Sequence, residues 1–245
     1  MTVGSRTIQT RQMNIRTFVH KLTEAEFLIP SFQREFVWRP EDIIRLWDSL
    51  YRFYPIGSIL YWKTSIRLHI HRELGGWILS DHHQAVKERK EWVYILDGQQ
   101  RATSLLVSLF GLKTRGEGQK AWGDALFFDA TTATFFFEKA LNRRRREVND
   151  AFLIRLGDAL DTAPDQDEGL ESEPGYLPFI KDNLRQLHRV FTDYNLSLIR
   201  LQGYDIPAVR EIFERINQEG KELTSMDLMI ARTFQDYAYL VEDDL

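Results

Sequence analysis

The chain has 245 residues, of which 43% are hydrophobic and 13% aromatic, so it can bury a substantial core and is not intrinsically disordered. A formal charge of −4 argues against binding nucleic acid over the whole surface, although it is compatible with a local basic patch. Cysteine is absent, which excludes disulfides, thiolate metal sites and cysteine catalysis. With neither an apolar leader nor an apolar run of about 18 residues, the sequence predicts a cytoplasmic protein without a membrane span.

The first 62 residues alternate helical and extended patterns. Ile15–Leu22 predicts a short helix, and IPSFQR at 29–34 predicts an extended segment, because a residue before proline avoids the helical region. Pro40 suits the first turn of a second helix, whose apolar residues recur at helical spacing. Pro55 ends this helix, and Ile56–Trp62 alternates like a strand.

The segment EWVYILDGQQRATSL at 91–105 is typical of a strand that runs directly into a helix. Trp92–Leu96 is the apolar strand, and a helical pattern begins just after Asp97 and Gly98. Glycine permits a backbone conformation, or a close approach, that a side chain would prevent. Asp-Gly is also an ordinary turn pair, so a purely structural turn is the alternative.

This junction has the features of an anion site. A helix N-terminus presents backbone N–H groups and a positive dipole, and Arg101 adds a guanidinium that can bind two phosphate oxygens. Gln99 and Gln100 supply donors and acceptors for a ribose, a base edge or a water. Neither a P-loop motif nor G-x-G-x-x-G occurs, so a nucleotide would be bound in another fold.

Ala125–Asp129 and Thr134–Glu138 predict a hairpin, and four consecutive arginines, Arg143–Arg146, follow it. These arginines form either a solvated face or a contact to a phosphate backbone or partner. From the pattern we expect a core at 1–160, a flexible acidic loop at 161–175, and a helical portion of the same domain at 176–245.

The last portion predicts a helix from Tyr176, a strand at Leu196–Leu201 and two further helices. Gly220 suits the left-handed end of the helix at Pro207–Asn217, and Thr224 suits the cap of the next. A cluster of polar residues at this helix end either caps carbonyl groups or belongs to a site. Its members are Arg215, Asn217 and Lys221.

Three segments together resemble the GmrSD-type restriction endonuclease N-terminal domain family. They are IPSFQREFVW at 29–38, ILDGQQRATSL at 95–105 and IFERINQEGKELTSMDL at 212–228. The family signature combines an IPxYQR-like opening, a DGQQR core and a closing FxRhNxxGxxLs element. The similarity extends from about residue 13 to about residue 240.

The resemblance implies an α/β (α+β) fold, with a ParB/sulfiredoxin-like core, a mixed sheet and additional C-terminal helices. It implies binding of a nucleoside triphosphate with Mg²⁺, and its hydrolysis, by the regulatory domain of a bacterial restriction or anti-phage defence protein. The DNA would be cleaved by a nuclease, often of the HNH type, which lies in a C-terminal domain or a partner protein.

Residues are assigned by their positions in the three motifs. Asp97, Gln100 and Arg101 would be catalytic, with Asp97 holding Mg²⁺ or orienting the attacking water. Arg101 and the helix N-terminus would hold the phosphates, while Arg34 or Arg215 would offset the negative charge that develops on the transferred phosphoryl group. The nucleotide-binding set is Gln33, Arg34, Gly98, Gln99, Thr103, Arg215, Asn217 and Lys221.

Two other functions stay open. One is a non-catalytic module that senses a nucleotide or recognises DNA, with Arg143, Arg144, Arg145 and Arg146 as the DNA-binding residues. The other is a ParB-like nuclease that cleaves DNA itself. An NTPase releases phosphate, a sensor binds without turnover, and a nuclease cuts DNA with a metal ion.

Overall fold

The computed structural model describes residues 5–33, 36–68, 70–71, 73–74, 77–78, 90–111, 125–162 and 169–218. Its strands are β1 (Thr7–Asn14), β2 (Ser58–Thr64), β3 (Glu73–Leu74), β4 (Trp77–Ile78), β5 (Trp92–Asp97), β6 (Leu126–Asp129), β7 (Thr134–Phe137), β8 (Leu153–Arg155) and β9 (Asn195–Gln202). Its helices are α1 (Ile15–Thr23), α2 (Pro40–Tyr51), α3 (Gln99–Phe110), α4 (Leu141–Arg144), α5 (Leu156–Asp161), α6 (Pro178–Thr192) and α7 (Ile206–Gln218). None of these helices is long and apolar enough to cross a membrane.

The main sheet has the strand order β1-β9-β2-β5 and is mixed. β2 runs parallel to β9, whereas β1 with β9 and β2 with β5 are antiparallel. The predicted α/β class with a mixed sheet is therefore confirmed, while its relation to the ParB/sulfiredoxin superfamily stays a prediction. β9 lies between β1 and β2, so the portion after residue 176 contributes a central strand as well as helices.

Local sequence explains where the first helices begin. The Asn14 side chain accepts a hydrogen bond from the backbone N–H of Thr17 at 2.8 Å and so caps α1. α2 begins at Pro40, as predicted, and the Asp42 carboxylate in its first turn accepts the N–H of Arg39 at 3.0 Å. Both helices bury one apolar face, and their polar residues face outward.

The core lies between the main sheet and the helices that pack on it. Trp47 of α2, Trp62 of β2 and Tyr94 of β5 are among its largest fully buried side chains. α3 is buried on nearly all sides, and Ser108 within it accepts the indole N–H of Trp47 at 2.7 Å. A buried polar atom of this kind stabilises the fold only when it has a partner.

A smaller sheet with the order β7-β6-β8 packs beside this core. Its β6–β7 hairpin confirms the predicted one, with Asp129 opposite Thr134 at the turn. The sequence did not predict β1 as a strand, because most of its side chains are exposed at the sheet edge and show no apolar alternation. Within the predicted acidic loop, Leu170–Ser172 forms one short 3₁₀ turn, and residues 163–168 lie outside the described residues.

Candidate functional site

The DGQQR element forms the junction between β5 and α3. β5 ends at Asp97, Gly98 takes a left-handed conformation with φ +92°, and α3 begins at Gln99. A Cβ atom at Gly98 would lie 3.0 Å from Cγ1 of Ile59 and 3.3 Å from Nη2 of Arg101. Both the positive φ and the close neighbours require glycine at this position. The chain therefore turns from strand to helix over a single residue.

Arg101 and Asp97 form an ion pair across this junction. Nη2 of Arg101 donates to Oδ2 of Asp97 at 3.1 Å, and Nη1 donates to the carbonyl of Ile56 at 2.8 Å. The Arg101 side chain is 16% exposed and that of Asp97 is 43% exposed. Both amino groups of the guanidinium thus have protein partners in this structure, and the Asp97 carboxylate is accessible to solvent.

The turn before β2 belongs to the same group of residues, which the sequence reasoning missed. Gly57 has φ +83°, and a Cβ atom there would lie 2.6 Å from Nη1 of Arg101. The only sequence signal was the Pro55-Ile56-Gly57 turn, which resembles many other turns. Its contact with Arg101 joins residues far apart in the chain and has no local pattern.

Gln100 and Gln33 connect the DGQQR junction to the opening motif. Oε1 of Gln100 accepts the backbone N–H of Val37 at 2.9 Å and that of Trp38 at 3.3 Å. The side-chain amide of Gln33 donates to the carbonyl of Ile95 in β5. Both glutamines are largely buried. They hold the opening segment against β5 and α3, so the first two motifs are in contact in the structure.

The remaining residues of this element face the interior. Gln99 is buried, and Thr103 is only 2% exposed within α3. In this conformation both side chains contact protein rather than solvent. Of the predicted set on this element, Asp97 is the residue most accessible to a ligand.

The closing motif reaches the opening motif through an aromatic contact. The rings of Phe213 in α7 and Phe32 lie 5.3 Å apart in an edge-to-face arrangement. Arg215 is exposed and forms an ion pair with Glu211 one turn earlier in the same helix. Asn217 lies near the end of α7, but its side chain is outside the described residues, as are Arg34, Gly220, Lys221 and Thr224.

The four arginines at 143–146 have different environments. Arg144 binds Asp129, a fully buried residue, at 3.0 Å and lies over the ring of Phe136. Arg145 binds Asp150 through two hydrogen bonds. Arg143 and Arg146 are exposed. The run therefore combines two arginines with structural partners and two that face solvent.

Metal binding was predicted only at Asp97. Among the residues that the structure describes, no three histidine, aspartate or glutamate side chains are grouped as a metal site. A single accessible carboxylate fits Mg²⁺ that arrives with phosphate oxygens, since this ion is commonly held by one or two carboxylates together with substrate phosphates. Asp97 meets that description.

Fold and junction together define an α/β domain with a mixed sheet, in which a strand–glycine–helix element carries the ion pair of Asp97 and Arg101. The chain belongs to the GmrSD restriction endonuclease, N-terminal domain family, whose sequence profile matches residues 15–234. It is therefore a restriction-associated domain. A relative, an uncharacterized protein of Methanocaldococcus jannaschii, is 24% identical over an alignment length of 250, and the alignment covers 91% of this chain and 41% of the relative. The chain thus spans about two fifths of that relative's length.

Proposed function

We propose that this domain binds a nucleoside triphosphate at the β5–α3 junction and hydrolyses it, and that it thereby regulates DNA cleavage by a nuclease domain or partner in a bacterial defence system. One observation carries the proposal. An accessible carboxylate and a guanidinium lie together where a strand passes through glycine into a helix. The positive end of α3 favours an anion at this position.

Each residue of the junction has a separate proposed role. Arg101 and the first turn of α3 hold phosphate oxygens, and Asp97 binds Mg²⁺ or orients the attacking water. The metal, when bound, neutralises charge on the phosphates. Gln100 and Gln33 act as positioning residues, because their hydrogen bonds hold the opening segment against the junction.

The closing motif begins in α7, which contacts the opening segment. Phe213 and Phe32 hold this helix against the opening segment. The partner of Arg215 among the described residues is Glu211, an exposed residue of the same helix, so Arg215 can leave it for a ligand at little cost. We propose that Arg215, with Arg34, Asn217 and Lys221, completes the nucleotide site.

The test is calorimetric titration with ATP, GTP, CTP and UTP in the presence of Mg²⁺, followed by a phosphate-release assay. Arg101→Lys keeps a positive charge but loses the forked geometry, so we expect about tenfold weaker binding or more. Arg143→Ala removes an exposed arginine outside the junction and serves as the control. If the wild-type protein bound none of the four nucleotides, the proposal would be refuted.

The nucleotide assays, together with assays of DNA cleavage and DNA binding, separate the alternatives. Saturable binding without phosphate release would assign the domain to nucleotide sensing. Metal-dependent cleavage of DNA by the chain alone would assign it to the nucleases. Salt-dependent DNA binding that is weakened in Arg143→Ala would favour DNA recognition through the exposed arginines.

A further inference from the structure

The turn at 55–57 encloses one end of the Arg101 guanidinium. The carbonyl of Ile56 accepts a hydrogen bond from Nη1 at 2.8 Å. Gly57 leaves the space that this nitrogen occupies, because a Cβ atom there would lie only 2.6 Å from it. Two adjacent residues thus accommodate the same nitrogen atom. Ile56 supplies a carbonyl acceptor, and Gly57 has no side chain that would clash with it.

The other end of the guanidinium has a partner of a different kind. Nη2 binds Oδ2 of Asp97 at 3.1 Å, and the Asp97 side chain is 43% exposed. A carboxylate that solvent can reach is a partner that another anion can replace, since solvent screens its charge more than that of a buried carboxylate. The acceptor of the bond from Nη1 is an uncharged backbone carbonyl. This bond can therefore persist when an anion binds to Nη2.

We propose that Gly57 and the Ile56 carbonyl are positioning elements of the phosphate site. They hold Nη1 of Arg101 in place, while Nη2 passes from Asp97 to an oxygen of a nucleotide phosphate. This exchange rests on the proposed nucleotide function. It breaks one ion pair, forms another and frees the Asp97 carboxylate for its proposed role at Mg²⁺ or the attacking water, with no covalent change.

The first test is the affinity of Gly57→Ala for the triphosphate that the wild type binds best, measured by calorimetry. The added methyl group should displace Nη1 and weaken binding by about tenfold or more, the effect of losing a charge-assisted hydrogen bond. Gly175→Ala is the matched control, because Gly175 has φ +86° but its Cβ atom would meet, among the described residues, just Cε2 of Phe152 at 3.9 Å. The Tm of each variant measures the destabilisation that alanine causes at a positive φ, which both positions share.

A double-mutant cycle distinguishes positioning from general destabilisation. In an Arg101→Lys background, Gly57→Ala should cause little further loss of affinity, because the forked group that it displaces is already absent. An equal loss in both backgrounds would show that Gly57 acts through the fold and would overturn the proposal. Equal affinities of Gly57→Ala and Gly175→Ala would overturn it as well.

Asp97→Asn tests the exchange of partners without altering the turn. Without Mg²⁺, wild-type Asp97 competes with the phosphate for Nη2, so the asparagine variant should bind the same triphosphate about threefold to tenfold more tightly. Unchanged or weaker binding without Mg²⁺ would overturn the exchange while leaving the nucleotide function intact. If the wild type bound none of the four triphosphates, the proposed function would fail first.

Discussion

Replacing Arg144 by alanine should destabilise the protein far more than replacing its exposed neighbours. Arg144 donates from Nη1 to Oδ2 of Asp129 at 3.0 Å, and the Asp129 side chain is fully buried. The other oxygen, Oδ1, accepts the backbone N–H and the hydroxyl of Thr131 at the β6–β7 turn. Without Arg144, the partners that the described residues offer this buried carboxylate would all lie on Oδ1.

The magnitude follows from these contacts. Removing one member of a buried ion pair costs about 3–5 kcal/mol, but Arg144 is 24% exposed and the smaller alanine would admit water to the carboxylate. Loss of the cation–π contact with Phe136, at 5.4 Å, adds about 0.5–1 kcal/mol. We therefore expect a loss of about 2–3 kcal/mol in the free energy of unfolding, or ~4–12 °C in Tm for a domain of this size.

Urea and thermal unfolding, followed by circular dichroism, measure this loss. Arg143→Ala and Arg146→Ala are the controls, and each should stay within about 0.5 kcal/mol of the wild type because both side chains are exposed. Adding Asp129→Asn to Arg144→Ala removes the uncompensated charge, so the double variant should lose less than the sum of the two single losses. If Arg144→Ala were as stable as Arg143→Ala, the structural role assigned to this arginine would be refuted.

Two further predictions concern buried polar groups. Ser108→Ala should cost about 1–3 kcal/mol in unfolding free energy, because the indole N–H of Trp47 loses its acceptor; a change below about 0.5 kcal/mol in urea unfolding would contradict this. Burial raises the pKa of Tyr94 to about 12 from 10.0. The neutral phenol therefore stabilises the folded state fully below pH 10, and this stabilisation is lost as the pH rises from 10 to 12. Between pH 10 and pH 12 the free energy of unfolding should fall more for the wild type than for Tyr94→Phe, by at most about 3 kcal/mol. If the free energies of the two proteins fell in parallel with pH, the raised pKa of Tyr94 would be ruled out. The hydrogen bond from the Leu68 N–H, also lost in Tyr94→Phe, gives an offset independent of pH.

Elements with a strong local signal were predictable from the sequence. The helices predicted at Ile15–Leu22 and from Pro40 correspond to α1 and α2, and the Asp97-Gly98 pair marks the passage from β5 to α3. The hairpin of β6 and β7 also followed from local pattern. Caps, turns and periodic apolar faces depend on residues a few positions apart, so short windows contain the information.

Other features had no such signal. β1 is a polar edge strand that is held by its pairing with β9, almost two hundred residues later. The exposed edge does not require apolar alternation, and pairing at this distance leaves no trace in a window of neighbouring residues. The order of the four strands was equally inaccessible, because the chain order β1, β2, β5, β9 differs from the order in the sheet.

The candidate site shows the same division. By itself, the sequence determined that a strand would pass through glycine into a helix carrying Arg101, and that three motifs would mark a family. Tertiary structure decided that Arg101 shares its guanidinium between Asp97 and the turn at Gly57. The physical reason is that a side chain's partners depend on which distant backbone segments pack beside it, and the hydrophobic burial that brings those segments together is non-directional.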